Sequence, residues 1–466
     1  MVPIPSAGSR RQRHRHIGPR ATAAVLGCAL LLSGCGELAH DGGSATKHQP
    51  ATRTAGASRA PGKDGGTPRL PVPRGKGSRV ADDFNGDGHR DLVLNDLVKG
   101  PDELHGDDAG IGVVYGGGQG RGQGLVPGAR QLLSPAEYAA PTKGQLPAAF
   151  DAEASCDLDD DGFTDLVVST DPPYDGQGQP PVPLQLLFGS PKGLAGKAVT
   201  VRIPARARFG NDWPDQPVCG DFDGDGAMDL VVHASDSRIS YLRGPFSRKG
   251  SPRAAGTPLA APGNVPVGPS VDVDRDGYDD VLVRATASPE SASSLVLGGP
   301  AGPTRTGSVF PAGSTVAFGR FGKGRGTDAA IGTSDGIALR YDVPGTLRGS
   351  LSRSGTAGAG AVLAAGDLDG DGLSELIVGG DRLQIFKGRP KGLSAAGAVT
   401  VAPAAQGSTQ LLAVADFDGD KRADLVVRTY RGETKDTVAL FPGRKSGLVA
   451  VEPEVTFSTA EFLGGS

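Results

Sequence analysis

Asp83-Phe84-Asn85-Gly86-Asp87-Gly88-His89-Arg90-Asp91-Leu92-Val93 sets a pattern that recurs along most of the chain. Further copies begin at Asp157, Asp221, Asp272, Asp367 and Asp416, each with an apolar run before and after it. With single departures they read Asp-x-Asp-x-Asp-Gly-x-x-Asp, then Leu-Val-Val or its like. The gap between Asp272 and Asp367 is about twice the local period, so a hidden copy is expected near its middle. Arg320-Phe321-Gly322-Lys323-Gly324-Arg325-Gly326-Thr327-Asp328-Ala329-Ala330-Ile331 fills it, with one of the four acids kept. The seven starts are separated by 74, 64, 51, 48, 47 and 49 residues.

A second landmark follows each acidic loop, an apolar strand ending in glycine. Val113-Val114-Tyr115-Gly116, Leu186-Leu187-Phe188-Gly189 and Leu295-Val296-Leu297-Gly298 are examples. Several units continue into Gly-Leu, as at Gly193-Leu194, Gly392-Leu393 and Gly447-Leu448. A unit of about 48 residues therefore holds four short strands, the size of one propeller blade. Seven such blades close a ring, and closure hides the sheet edges. The predicted fold is all-β: a seven-bladed β-propeller over 77–466, with metal-binding hairpin loops.

Composition agrees. The 466 residues include 74 glycines and 37 prolines, which cost roughly 1 and 3 kcal/mol in a helix interior relative to alanine. A helical bundle is excluded, and the glycines lack the three-residue period of collagen. The formal charge is −4. Residues 1–34 hold Arg10, Arg11, Arg13, Arg15 and Arg20 and no acid, so the rest carries 43 basic against 52 acidic residues. That balance gives no reason to expect nucleic-acid binding.

The basic opening runs into the apolar stretch Ala21–Leu32 and then Leu32-Ser33-Gly34-Cys35. A basic start, a short apolar run and small residues mark a secretory signal peptide. The run is shorter than the roughly 20 residues of a membrane span. Leu-Ser-Gly-Cys resembles a bacterial lipobox, which implies cleavage after residue 34 and acylation of Cys35. Residues 35–76 are poor in large apolar side chains and are expected to form a disordered tether, with a reach on the order of 35 Å. The expected location is the outer face of a bacterial cell membrane, reached by the general secretory or the twin-arginine route.

The acidic loop and the glycine-ended strand together resemble the FG-GAP repeat of integrin α-subunit propellers and of bacterial VCBS-type repeat proteins. Hard cations such as Ca²⁺ take six to eight oxygens from a tightly curled backbone. Positions 1, 3, 5 and 9 supply the candidate ligands. They are Asp83, Asn85, Asp87 and Asp91; Asp157, Asp159, Asp161 and Asp165; Asp221, Asp223, Asp225 and Asp229. The later loops offer Asp272, Asp274, Asp276 and Asp280; Asp367, Asp369, Asp371 and Glu375; Asp416, Asp418, Asp420 and Asp424. About five or six Ca²⁺ ions are expected, in structural roles. Arg320, Gly322 and Gly324 leave the fifth loop without one. Lys421 replaces glycine at position 6 of the seventh loop, so a strained positive φ or a different turn is expected there. An EF-hand is rejected because Leu94 stands where its twelfth-position Glu would be.

No catalytic set emerges. Gly332-Thr333-Ser334-Asp335-Gly336 matches a nucleophile elbow in letters, but that motif needs a strand–turn–helix context, and here a hairpin turn is expected. His89, His105 and His233 fall in different blades and read as loop or surface residues. Cys156 and Cys219, in consecutive blades, could form a disulfide or remain two buried thiols. Extra length in the first two blades falls in 95–110, 131–154, 171–183 and 204–217. The last holds the sole tryptophan, Trp213, near Arg206, Arg208 and Phe209, a candidate partner patch. The integrin resemblance implies partner binding on the face opposite the acidic hairpins. The reading is a monomeric, non-catalytic recognition, adhesion or scaffold module for a protein or glycan of the cell envelope. The alternatives are a polysaccharide- or lipid-acting hydrolase or lyase, or a lectin with sites in several blades.

Overall fold

In the computed structural model, residues 67–463 are described except 99–108, 118–123, 211, 287, 289–290, 314, 325, 344–346, 352–361, 381–382 and 433. The expected signal peptide, Cys35 and the expected tether up to residue 66 lie outside the described residues, as does His105. Among the described residues no helix is long and apolar enough to cross a membrane.

Among the described residues seven antiparallel blade sheets follow one another along the chain, with a small two-stranded sheet of Gly443–Arg444 and Leu448–Val449 beside the last. Blade 2 shows the plan: Phe150–Cys156, Asp165–Thr170, Leu184–Leu187 and Val199–Thr200 pair in sequence order. The first strands of blades 2 and 3, 3 and 4, 5 and 6, and 6 and 7 approach one another, which puts them at the centre of the ring. Because each strand reverses direction, every acidic loop, joining first strand to second, falls on one face. The segments 171–183 and 201–217 fall on the other.

Seven apolar clusters fill the seven contacts between neighbouring blades. Blades 1 and 2 share Val113, Tyr115, Leu166 and Val168, and blades 6 and 7 share Ile377, Ile385, Leu425 and Phe441. The ring closes where Leu92 and Val114 of blade 1 meet Phe417 and Leu440 of blade 7. Alternation along the strands turns one face to each neighbour, so these β-rich runs are buried on both sides.

Two blades depart from the expected four strands. Blade 1 has three, Leu92–Leu94, Ile111–Gly116 and Leu125–Leu133, and Arg79–Asp82 in front of its acidic loop form turns. In blade 3 the outer strand is split into Ala254–Ala255 and Leu259–Ala260. The part of the expected tether from residue 67 to 76 is not free. The Leu70 N–H bonds Gly128 O at 2.8 Å, Gly75 and Lys76 bond the first acidic loop, and Val72 packs on the blade 1 core. Val72 against the core and these backbone bonds lay the segment down although its average composition is that of a linker. The inserted stretch 131–154 also shrinks, because Leu133 ends one strand and Phe150 begins the next.

Closure also has a polar seam. Arg428 of blade 7 is buried, its Nε 2.8 Å from Asp436 Oδ2, and its terminal nitrogens bond the Asn95 and Asp96 carbonyls of blade 1. Thr459 bonds Asp436 and accepts the Val98 N–H, and Arg130 of blade 1 bonds the Glu461 carbonyl. A buried ion pair satisfied on all sides is expensive to break from one side. Replacing Arg428 with Ala should therefore lower unfolding free energy by about 3–5 kcal/mol. Denaturant melts that differ by less than about 1 kcal/mol would show that the apolar cluster closes the ring alone.

Candidate metal loops and the opposite face

The acidic loops share one hydrogen-bond mould. The position-1 carboxylate accepts the N–H groups of positions 5 and 6: Asp157 takes Asp161 N (3.1 Å) and Gly162 N (2.8 Å), and Asp272 takes Asp276 N and Gly277 N. The position-5 carboxylate accepts the N–H two residues on, as Asp371 does from Leu373 at 2.9 Å. Such side-chain turns curl the backbone and send the remaining oxygens inward. Position 4 is left-handed as well as position 6: Gly224 has φ +70°, Asp160 +59° and Arg275 +62°.

Position 9 does something different. Each acid there is buried and ties two distant parts of its blade. Asp165 Oδ2 accepts the Leu158 N–H at 3.0 Å and Oδ1 the N–H of the strand-ending Gly189 at 2.9 Å. Asp91, Asp280, Asp424 and Glu375 repeat this pair of bonds, and Asp229 adds the Tyr241 hydroxyl. Glu375, the longer acid, makes the same bonds. Asp328 of the fifth loop does too, to Phe321 N, Gly322 N and Asp342 N. The one acid surviving in that decayed loop is therefore the one that latches the blade. There Asp342, entering from another turn, replaces the missing loop carboxylate by accepting the Gly326 N–H at 2.8 Å.

Five loops bring three carboxylate oxygens within 4.8 Å of one another. The groups are Asp157/Asp159/Asp165, Asp221/Asp223/Asp225, Asp272/Asp274/Asp276, Asp367/Asp369/Asp371 and Asp416/Asp418/Asp424. In the first loop the amide Asn85 takes position 3, its Oδ1 accepting the Asp87 N–H at 3.2 Å. The position-3 oxygens Asp159 Oδ1 and Asp274 Oδ1 are buried without a hydrogen-bond partner. Turn chemistry leaves them unused, and anionic oxygens so placed fit a cation. Burial, with neighbouring carboxylates, pushes Asp159 up to about 6, Asp165 up to about 8 and Asp91 up to about 9. A bound divalent ion inverts that preference. These donor sets fit Ca²⁺, which would neutralise the crowded acids and lock the loop. Basic side chains missed in the sequence reading also reach the loops. Arg305 meets Asp276 at 2.6 Å, Arg248 of blade 3 meets Asp159 and Asp161 of blade 2, Lys387 meets Asp369, and Arg422 meets Asp420.

Lys421 keeps the standard turn: its φ is +69° and its N–H still bonds Asp416 at 2.9 Å. Of the two expectations at that position, the strained positive φ is the one observed. Two of the Gly-Leu turns are glycine for a separate reason. A Cβ on Gly193 would lie 2.0 Å from Tyr115 Oη, whose oxygen accepts the Leu194 N–H. Gly392 stands in the same relation to Tyr341. Cys156 and Cys219 are joined as a disulfide between the first strands of blades 2 and 3, with Cα atoms 6.3 Å apart. Residues 332–336 form a hairpin turn between Asp328–Thr333 and Gly336–Arg340.

On the opposite face the Trp213 ring packs edge-on to Tyr174 at 5.5 Å, joining two of the inserted segments. Arg206 and Arg208 turn away from the tryptophan: Arg206 Nε bonds Ala255 O at 2.8 Å and Arg208 bonds Pro180 O. They fasten loops instead of lining a patch. Phe209 is 42% exposed, and Arg238 lies over its ring at 4.8 Å. His233, read as a loop residue, sits in the strand Asp229–Ala234, its Nδ1 2.9 Å from Trp213 O and 3.2 Å from Asp215 Oδ1. Its partners come from chain that is distant in sequence, so no local signal marked it. His89 lies in the first acidic loop.

The chain is thus a seven-bladed β-propeller carrying FG-GAP-like repeats. The FG-GAP-like repeat family model matches residues 157–232 and 367–427. No curated protein matches the sequence significantly. Among solved structures, BBS1N in complex with ARL6DN is similar at 16% identity, over 66% of this chain and 84% of that one, with a TM-score of 0.37. A lectin of Agrocybe aegerita that recognises non-reducing terminal N-acetylglucosamine is 15% identical over 65% and 75%, TM-score 0.36. An exo-beta-1,3-galactanase from Phanerochaete chrysosporium is 10% identical over 70% and 92%, TM-score 0.32.

Latch and ligand roles separate by mutation. Asp328→Ala should cost at least about 2 kcal/mol whether or not calcium is present, since buried N–H groups lose a charged acceptor. Asp159→Ala should instead shrink the rise in Tm that calcium produces; a filled site contributes about 2.7 kcal/mol at a hundredfold excess over Kd. A wild-type Tm that ignores both calcium and chelator would reduce the loops to turn devices. Lys421→Gly should stabilise by about 1 kcal/mol, because glycine adopts the left-handed region without the Cβ penalty; equal or lower stability would place no strain at that turn.

Proposed function

We propose that this protein is a calcium-stabilised, non-catalytic recognition module that holds a protein or glycan partner on the face opposite its acidic loops. The observation that carries the reading is the division of labour between the two faces. One face carries the acidic hairpins, whose carboxylates shape turns and latch blades in clusters that suit cations. The other carries the segments 171–183 and 201–217 with Tyr174, Trp213 and Phe209, and Arg238 over the Phe209 ring, and large aromatics with arginine are typical interface anchors. Loops on a rigid scaffold are where binding concentrates. The lipobox-like Leu32-Ser33-Gly34-Cys35 supports placement on a lipid anchor outside a bacterial membrane, with a tether that lets the head sample partners.

Solved propellers of low similarity include one bound to a protein, one that recognises a sugar and one that hydrolyses a glycan. A hydrolase would act through catalytic acids outside the loops, whereas the Tyr174/Trp213 pair and the exposed Phe209 are contact side chains. Replacing Trp213 with Ala should weaken capture of cell-envelope protein or glycan at least tenfold, with Tm unchanged. Undiminished capture would remove this face from the reading.

A further inference from the structure

The strand-ending glycine donates its N–H to the position-9 acid, as Gly388 does to Glu375 and Gly298 to Asp280. That bond brings the residue before the glycine close to the acidic loop of its own blade. In blades 1, 2, 4 and 7 this place is held by Tyr115, Phe188, Leu297 and Pro442. In blade 6 it is Lys387. The Lys387 Nζ bonds Asp369 at position 3 and lies 3.6 Å from Asp371 at position 5. Asp369 Oδ1 also accepts the Asp371 N–H at 3.3 Å, so both oxygens of this buried acid are engaged. An ammonium is a compact charge with three donors. Here it stands among acids that would otherwise repel one another.

Loops 2 and 4 are compensated differently. Arg248 meets Asp159 Oδ2 and Asp161, and Arg305 meets Asp276, yet Asp159 Oδ1 and Asp274 Oδ1 stay buried without a partner. Both arginine side chains are about half exposed, against 35% for Lys387. Loop 3 stands between the two cases. Arg243 occupies the place of Lys387 and pairs with the buried Asp223 by charge, but neither Asp223 oxygen accepts an aligned hydrogen bond.

We propose that Lys387 is the resident cation of the sixth loop, so that calcium can fill this loop only by displacing it, whereas loops 2 and 4 stand open to calcium. The inference rests on the reading of the acidic loops as calcium sites and sorts them by affinity. A divalent ion and the ammonium compete for the same carboxylates, and the flexible lysine stem lets the ammonium move out to water. Together with the decayed fifth loop, this leaves two adjacent blades that hold their acidic face without calcium.

The test is calcium titration of the full chain by calorimetry, with chelator competition to separate affinity classes, and melting in calcium and in chelator. Lys387→Leu gives blade 6 the residue that blade 4 has. It should tighten one calcium site by about tenfold or more, which adds one ion to the tight class. In chelator it should melt below wild type, because the acids lose their counterion, and calcium should raise its Tm further than that of wild type. Lys387→Gln, neutral but polar, should repeat both effects and guard against a packing defect. Lys387→Arg keeps the charge and should leave the tight class at the wild-type count. A tight class unchanged in the two neutral variants, or a wild type that fills six loops with one affinity, would overturn the assignment and leave the calcium reading standing. Absence of calcium binding in wild type and variants alike would overturn both.

Discussion

A buried carboxylate at the ninth position of each loop is the constraint on which every blade depends. It accepts one N–H from the start of its own hairpin and another from the end of the third strand, as Asp165 does from Leu158 and Gly189. Both donors are buried and would otherwise be unpaired, a cost of about 1–3 kcal/mol each. One side chain thus holds a hairpin and a distant strand end in fixed relation. Because the loops also bond their neighbours, as Thr164 N does to Asp83 O and Ser374 N to Arg320 O, order in one blade passes to the next. The fifth loop shows which part of the motif is indispensable. It has lost the acids at positions 1, 3 and 5 and kept Asp328.

That separation clarifies the chemistry of the acidic face. Positions 1 and 5 shape the turn, position 9 latches the blade, and position 3 is left with oxygens such as Asp159 Oδ1 and Asp274 Oδ1 that bond nothing. Crowding acids in this way is unfavourable unless cations compensate. The arginines and Lys387 around the loops supply part of that compensation, and the donor sets suit a divalent ion for the rest. The face is occupied with its own electrostatics.

Closure of the ring combines two kinds of contact. Apolar clusters fill all seven junctions, but the junction between blades 7 and 1 adds Arg428, Asp436 and Thr459. The first and last blades are joined by no short turn, and a directional, fully satisfied polar seam sets their register in a way that apolar packing alone does less sharply. Blade 1 lacks a first strand, so this junction carries more of the burden.

The blade count, the acidic loops, the decayed fifth copy and the strand-ending glycines were all legible in the sequence. They are local patterns repeated at a fixed period, and each turn encodes its own backbone through residues a few positions apart. Lys421 stood out against that repetition, and its left-handed φ follows from the turn's own geometry. Tertiary structure alone decided the contacts between residues far apart in the chain. The Cys156–Cys219 bond, the pairing of Trp213 with Tyr174 and the diversion of Arg206 and Arg208 to backbone carbonyls belong to this group. So do the seating of residues 67–76 on blade 1 and the entry of Asp342 into the fifth loop. Periodicity specifies what each blade must do for itself; which side chains meet across blades depends on closing the ring, and no local pattern carries that information.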